Sequence, residues 1–146
     1  METDLDKRYQ TLIVLWFALL TSIAMYFLFS LFGPAITADD PGHGSGSLFV
    51  MLTALGVLLV ILSFAVKRKL LERSVETQDI SLVQKSLVIA CAMCEGSALL
   101  GLLERFIIGN RYYYLLFVFS AVGIGLHFPR RIQLQAASYR RQAPLN

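Results

Sequence analysis

The sequence predicts an all-α integral membrane protein, a four-helix bundle built as two up-down hairpins. Three observations predict it. The 146-residue chain is 56% hydrophobic and only 16% charged, with mean hydropathy +0.63, whereas a soluble surface carries charge on roughly a quarter to a third of its positions. The charges are clustered, which leaves four apolar runs near the ~20 residues that a spanning helix needs. Lys and Arg gather on alternate connectors, the pattern that sets orientation in a bilayer. The length suits one domain.

The first span is 11–32, TLIVLWFALLTSIAMYFLFSLF, without charge and stopped by Gly33-Pro34. The second is 48–66, stopped by Lys67-Arg68-Lys69. The third is 86–103, SLVIACAMCEGSALLGLL, with one acid in its middle. The fourth and shortest is 112–128, stopped by Pro129-Arg130-Arg131, and it leaves a tail over 129–146. Strands are excluded because an isolated strand leaves its amides unpaired in hydrocarbon, and the alternating pattern of a barrel is absent.

Of the 13 Lys and Arg residues, only Arg105 and Arg111 fall on one side; the 33–47 connector, GPAITADDPGHGSGS, has none. The bias predicts a multi-pass protein of the plasma (inner) membrane with both termini and the 67–85 connector in the cytoplasm. Tyr112, Tyr113 and Tyr114 then meet the outer interface, where aromatic belts occur. A cleaved signal peptide ending near Ile36-Thr37-Ala38 is the competing reading. The apolar run is too long for it, and acids crowd the positive start.

Glu95 is the most informative residue. An ionised side chain at mid-span costs about 2.5–3.5 kcal/mol on insertion scales, so the neutral carboxyl is the expected state and proton exchange its expected chemistry. Thr21 and Ser22 on the first helix and Ser120 on the fourth lie at similar depth and are the candidate hydrogen-bond partners. Ala90, Cys94, Ala98 and Gly101 form a small-residue ridge of the kind that lets helices approach closely. The alternative is that Glu95 only joins helices as a polar contact.

The stretch VQKSLVIACAMCEGSALLGLL from Val83 resembles the carboxyl-bearing helix of the rotary ATP synthase proteolipid, the c subunit. The resemblance aligns Glu95 with that family's ion-binding carboxylate and Gly101-Leu102 with the step after it. It extends back through 48–66 as the preceding helix and 67–81 as the polar loop, and it implies a proton-linked subunit. Gly56 stands alone where the family's preceding helix has regular glycines, the Arg-Gln-Pro loop signature is missing, and a helix is added at each end. The chain also resembles a wider set of small four-helix bacterial membrane proteins with a similar Glu-bearing helix.

Other residues invite less. Cys91-Ala-Met-Cys94 lies mid-span, where buried cysteine behaves as a small hydrophobe. Asp39, Asp40 and His43 lack an established ligand spacing, so no metal is expected. His127 has no second spanning His, so no haem or other cofactor is expected. Glu104 and Arg105 read as snorkelling anchors at the outer interface. The Arg-rich tail reads either as a segment lying on anionic lipid or as a disordered one. Without a nucleophile–base pair or phosphate loop, the chain does not read as an enzyme. The sequence therefore supports a proton-linked, proteolipid-like subunit or, alternatively, a structural or assembly subunit of a larger membrane complex. Its partners would be the lipid bilayer and either other membrane subunits or further copies of itself, and not nucleic acid.

Overall fold

The computed structural model describes residues 2–33, 46–109 and 111–138. Most of the 33–47 connector, including the Ile36–Ala38 step and the Asp39, Asp40 and His43 cluster, lies outside these residues, as do Arg140 and Arg141. Among the described residues every regular element is helical and no strand occurs. The helices are α1 (Glu2–Phe32), α2 (Gly46–Thr77), α3 (Ile80–Leu103), α4 (Tyr114–Leu126) and α5 (Arg131–Ser138). A π-helical turn, Glu104–Ile108, prolongs α3 and ends at Gly109, whose φ of 69° is left-handed.

Three of these are long and apolar enough to cross a membrane; α4 qualifies only together with α5, from which it is bent by 54°. Counting that bent pair as one span gives four. The helices outrun their apolar segments. α2 continues eleven residues beyond Val66, because KRKLLERSVET contains strong helix formers and no breaker. α4 is the opposite case. Its 13 residues rise about 20 Å, short of a hydrocarbon core of about 30 Å.

The α2–α3 connection is a tight helical hairpin. Gln78 ends α2 with a left-handed φ of 53°, and Asp79 caps α3 by accepting from the Ser81 amide at 2.9 Å and the Ser81 hydroxyl at 2.9 Å. Ser74 Oγ closes the turn by donating to the Asp79 carbonyl at 2.9 Å. The two helices are thereby aligned over their length, which sets their facing stripes in register.

α3 is the centre of the assembly. It packs against α1, α2 and α4, whereas α1 and α2 scarcely touch. The distribution of side chains is inverted relative to a soluble bundle. Phe17, Phe29, Phe32, Ile61, Leu126 and many other large apolar residues are exposed, whereas Ser30, Ser63, Lys67, Ser86, Ser97, Glu104, Ser120 and His127 are buried. An apolar exterior of this extent is a mark of a surface that meets something other than water.

At the end of the bundle bearing Lys67, Arg68, Lys69 and Lys85, hereafter the basic end, α5 folds back on the other helices. Leu134 and Ala137 are buried in one cluster with Leu5, Tyr9, Leu71 and Val83. Arg131 pairs with Asp6 and lies 5.3 Å from the Tyr9 ring. The described part of the tail is therefore helical rather than unstructured. The RIQLQAAS segment spaces Leu134 and Ala137 three apart, and that edge is taken up by protein while Ile132 stays exposed.

Candidate functional site

Polar side chains occupy three places along α3. The first is Glu95, half-buried on the α1 side. Ser22 Oγ is in hydrogen-bond contact with Glu95 Oε1 and lies 2.7 Å from the Leu19 carbonyl. The other two expected partners are elsewhere. Thr21 is exposed and donates to the Phe17 carbonyl at 2.8 Å, because a step of one residue turns it about 100° away from Ser22 around the helix. Ser120 is buried and donates to the Cys94 carbonyl, on a face of α3 turned about 100° from Glu95.

The ridge residues Ala90, Cys94 and Ala98 are fully buried. At Gly101 an added Cβ would lie 3.2 Å from Leu116, Phe117 and the Tyr113 carbonyl. At Gly123 of α4 it would lie 2.8 Å from Cys94 Sγ and 3.1 Å from Val60 Cγ1. Close backbone approach between α3 and α4 thus depends on glycine at both points.

The second place is a buried network on the other side of α3. His127 Nε2 and Ser63 Oγ are 2.8 Å apart, and Cys94 Sγ donates to Ser63 Oγ at 3.5 Å. Ser63 Oγ also donates to the Val60 carbonyl at 2.6 Å. Lys67 Nζ donates to the His127 carbonyl at 3.0 Å, and the Phe64 ring stacks tilted over His127 at 4.3 Å. From α1, Trp16 Nε1 donates to the Ile124 carbonyl at 2.7 Å. The last carbonyls of a helix have no partner within it, and in an apolar medium each bare one is costly. At the end of α4 the Gly123, Ile124 and Gly125 carbonyls accept from the His127 and Phe128 amides, and Trp16 of α1 and Lys67 of α2 add side-chain donors at the Ile124 and His127 carbonyls.

The third place is the end of α3. Glu104 is 1% exposed and accepts from Thr53 Oγ1 at 2.7 Å. Arg105 Nε donates to the Ser30 carbonyl at 3.3 Å, with its guanidinium 5.3 Å from the Tyr113 ring. Glu104 does not reach outward as a snorkelling anchor, whereas Arg105 is half-buried. The π-helical turn begins at Glu104, whose carboxyl faces Thr53 of α2.

The serine–imidazole pair joins positions 64 residues apart in sequence, beyond any local motif. One signal did point to the network and to Glu104. Thr53, Gly56, Val60, Ser63 and Lys67 recur at alternating steps of three and four, as do Ala90, Cys94, Ser97, Gly101 and Glu104, so each set forms one helical stripe. Among the described residues no group of three or more His, Cys, Asp or Glu side chains is arranged to hold a metal ion. No protein-family model, curated protein or solved structure matches the chain.

Proposed function

We propose that the chain is a four-span integral membrane protein, both ends cytoplasmic, serving as a proton-linked, proteolipid-like subunit through the Glu95 carboxyl. The long apolar helices, the exposed Phe and Leu surface and the basic end support the membrane reading.

The proton role rests on the mid-span position of Glu95 and on its partner Ser22, whose hydroxyl can serve either protonation state of the carboxyl. A hydroxyl carries one hydrogen. Ser30, Ser63 and Ser86 each direct theirs to the carbonyl three residues back, at 2.6, 2.6 and 2.7 Å. Ser22 has the same carbonyl contact at 2.7 Å to Leu19. Ser22 Oγ is in donor contact with Glu95 Oε1 as well, so the one hydroxyl can donate to an ionised carboxyl or, with its hydrogen turned to Leu19, accept from a neutral one. A neutral carboxyl at this depth is the low-cost state, and losing or regaining its proton is the chemistry available to it.

A hydrophobic carbodiimide tests this, since it attacks neutral carboxyls in apolar surroundings. In the Glu104→Gln chain, peptide mass mapping should find the adduct on Glu95. Glu95→Gln should abolish it while leaving the fold intact. An unmodified Glu95 in the folded protein would overturn the proton role.

The same contact favours a second reading. Ser22 and Glu95 clip α1 to α3, so the residue also serves a structural or assembly subunit. On that reading Glu95→Gln is tolerated in every assay, and Glu95→Leu detaches α1.

A further inference from the structure

We propose that His127, Ser63 and Cys94, with Lys67 at their outer edge, form a proton-exchanging column that runs from the basic end of the bundle to the depth of Glu95, separate from the Glu95–Ser22 contact. The inference rests on the membrane reading but not on the proton role of Glu95.

The contacts are continuous, at 3.5 Å from Cys94 to Ser63 and 2.8 Å from Ser63 to His127. Each member can both give and take a proton. The three are sealed from the exterior by α2, α3 and α4, and only Lys67, 8% exposed, reaches the surface. The Ser63 hydrogen has two acceptors in reach, the Val60 carbonyl at 2.6 Å and His127 Nε2, so a hydroxyl rotation connects or disconnects the chain. The titratable groups around it are Lys67 on α2, Arg130 beyond α4, and Cys91 and Glu95 on α3. One turn further along α3, the fully buried Ser97 Oγ has no partner among the described residues, and the column ends there.

The exchange step balances. The Cys94 thiol proton moves to Ser63 Oγ as the Ser63 proton moves to His127 Nε2, giving a thiolate and an imidazolium. Release of the imidazolium proton requires water to enter at the Lys67 edge, the one part of the group at the surface, and a solvent proton returns by the reverse step. The Lys67 ammonium beside His127 opposes charge on the imidazole, so the charged pair is short-lived.

The S–H stretch is isolated in the infrared, and Cys94 is the sole thiol in a Cys91→Ala chain. On transfer of the reconstituted protein into D2O, the Cys94 S–H band should convert to S–D. Ser63→Ala should slow this about tenfold, and Ser63→Thr, which keeps the hydroxyl, should restore it. His127→Asn, which cannot relay the proton, should slow it as Ser63→Ala does. Glu95→Gln should leave it unchanged, so this result and the carbodiimide result stand or fall separately. Equal exchange rates for Cys91 (in a Cys94→Ala chain) and Cys94 would indicate general opening of the bundle and overturn the column. So would a rate insensitive to both Ser63→Ala and His127→Asn.

Discussion

Replacing Lys67 with Met removes the ammonium while keeping a stem of similar length, and it decides whether the charge stabilises the short helix α4. Two effects oppose each other. The ammonium donates to the His127 carbonyl at 3.0 Å, and a hydrogen bond to a charged group contributes about 1.5–3 kcal/mol. Its position at the negative end of α4 is part of the same sum, since charges at helix ends typically contribute about 0.3–1 kcal/mol. Against this, desolvating an ion costs several kcal/mol when burial is complete. Lys67 is buried but keeps 8% exposure at the end of the apolar run, where a long side chain lies close to water, so desolvation offsets only part of the hydrogen bond. The hydrogen bond should win, so Lys67→Met should lower stability by about 1–2 kcal/mol. The assay is unfolding in mixed micelles of rising dodecyl sulfate content, followed by fluorescence. Trp16 is the chain's only tryptophan; it donates to Ile124 and sits edge-on to Phe128 at 5.1 Å, so its emission reports the last turn of α4. A Met variant at least as stable as the parent, with unchanged emission, would refute the reasoning and show that desolvation dominates.

Two further outcomes follow from local geometry. Gly123→Ala places a Cβ 2.8 Å from Cys94 Sγ. Overpacking costs about 1–3 kcal/mol, and the helix preference of Ala over Gly returns about 1 kcal/mol. A net loss of about 1 kcal/mol is therefore expected; Cys94→Ala should recover part of it in the double variant, and additive losses would exclude the clash. At the α2–α3 turn, hydrogen bonds from the Ser81 hydroxyl and amide hold the Asp79 carboxyl below its ordinary value of 3.8. Its stabilisation is therefore full above that value and lost as pH falls through the lowered one. Unfolding measured from about pH 5 downward should show a loss that Asp79→Asn lacks, and parallel profiles would remove Asp79 from the turn's stability.

The long helices were legible because their signal is additive. A run such as TLIVLWFALLTSIAMYFLFSLF declares itself through composition alone. Their true ends were not, because the apolar count stops at Lys67 whereas helix formation does not. α5 was hidden by its eight residues, too few for periodicity to stand out. Ser22, Thr21 and Ser120 share a depth in the sequence, but depth says nothing of azimuth, and a one-residue step decides which hydroxyl reaches Glu95. Glu104 was misread because a charge pair at the end of an apolar run ordinarily points to water. Following the ridge of Ala90, Cys94 and Gly101 one step onward would have placed it inside. The π-helical turn that completes its burial has no sequence mark.

The central position of α3 also constrains how the molecule is made. Chains emerge from synthesis in order, and α1 and α2 leave first. The two scarcely touch, so the face of α2 that carries Thr53, Ser63 and Lys67 stays uncovered until the third helix arrives. Assembly therefore begins late, with the α2–α3 hairpin closing at Asp79, and α1 is recruited across a gap of nearly fifty residues rather than by its neighbour. A nascent chain cut short before α3 would consist of two helices with few contacts between them, the polar stripe of α2 left without its partner.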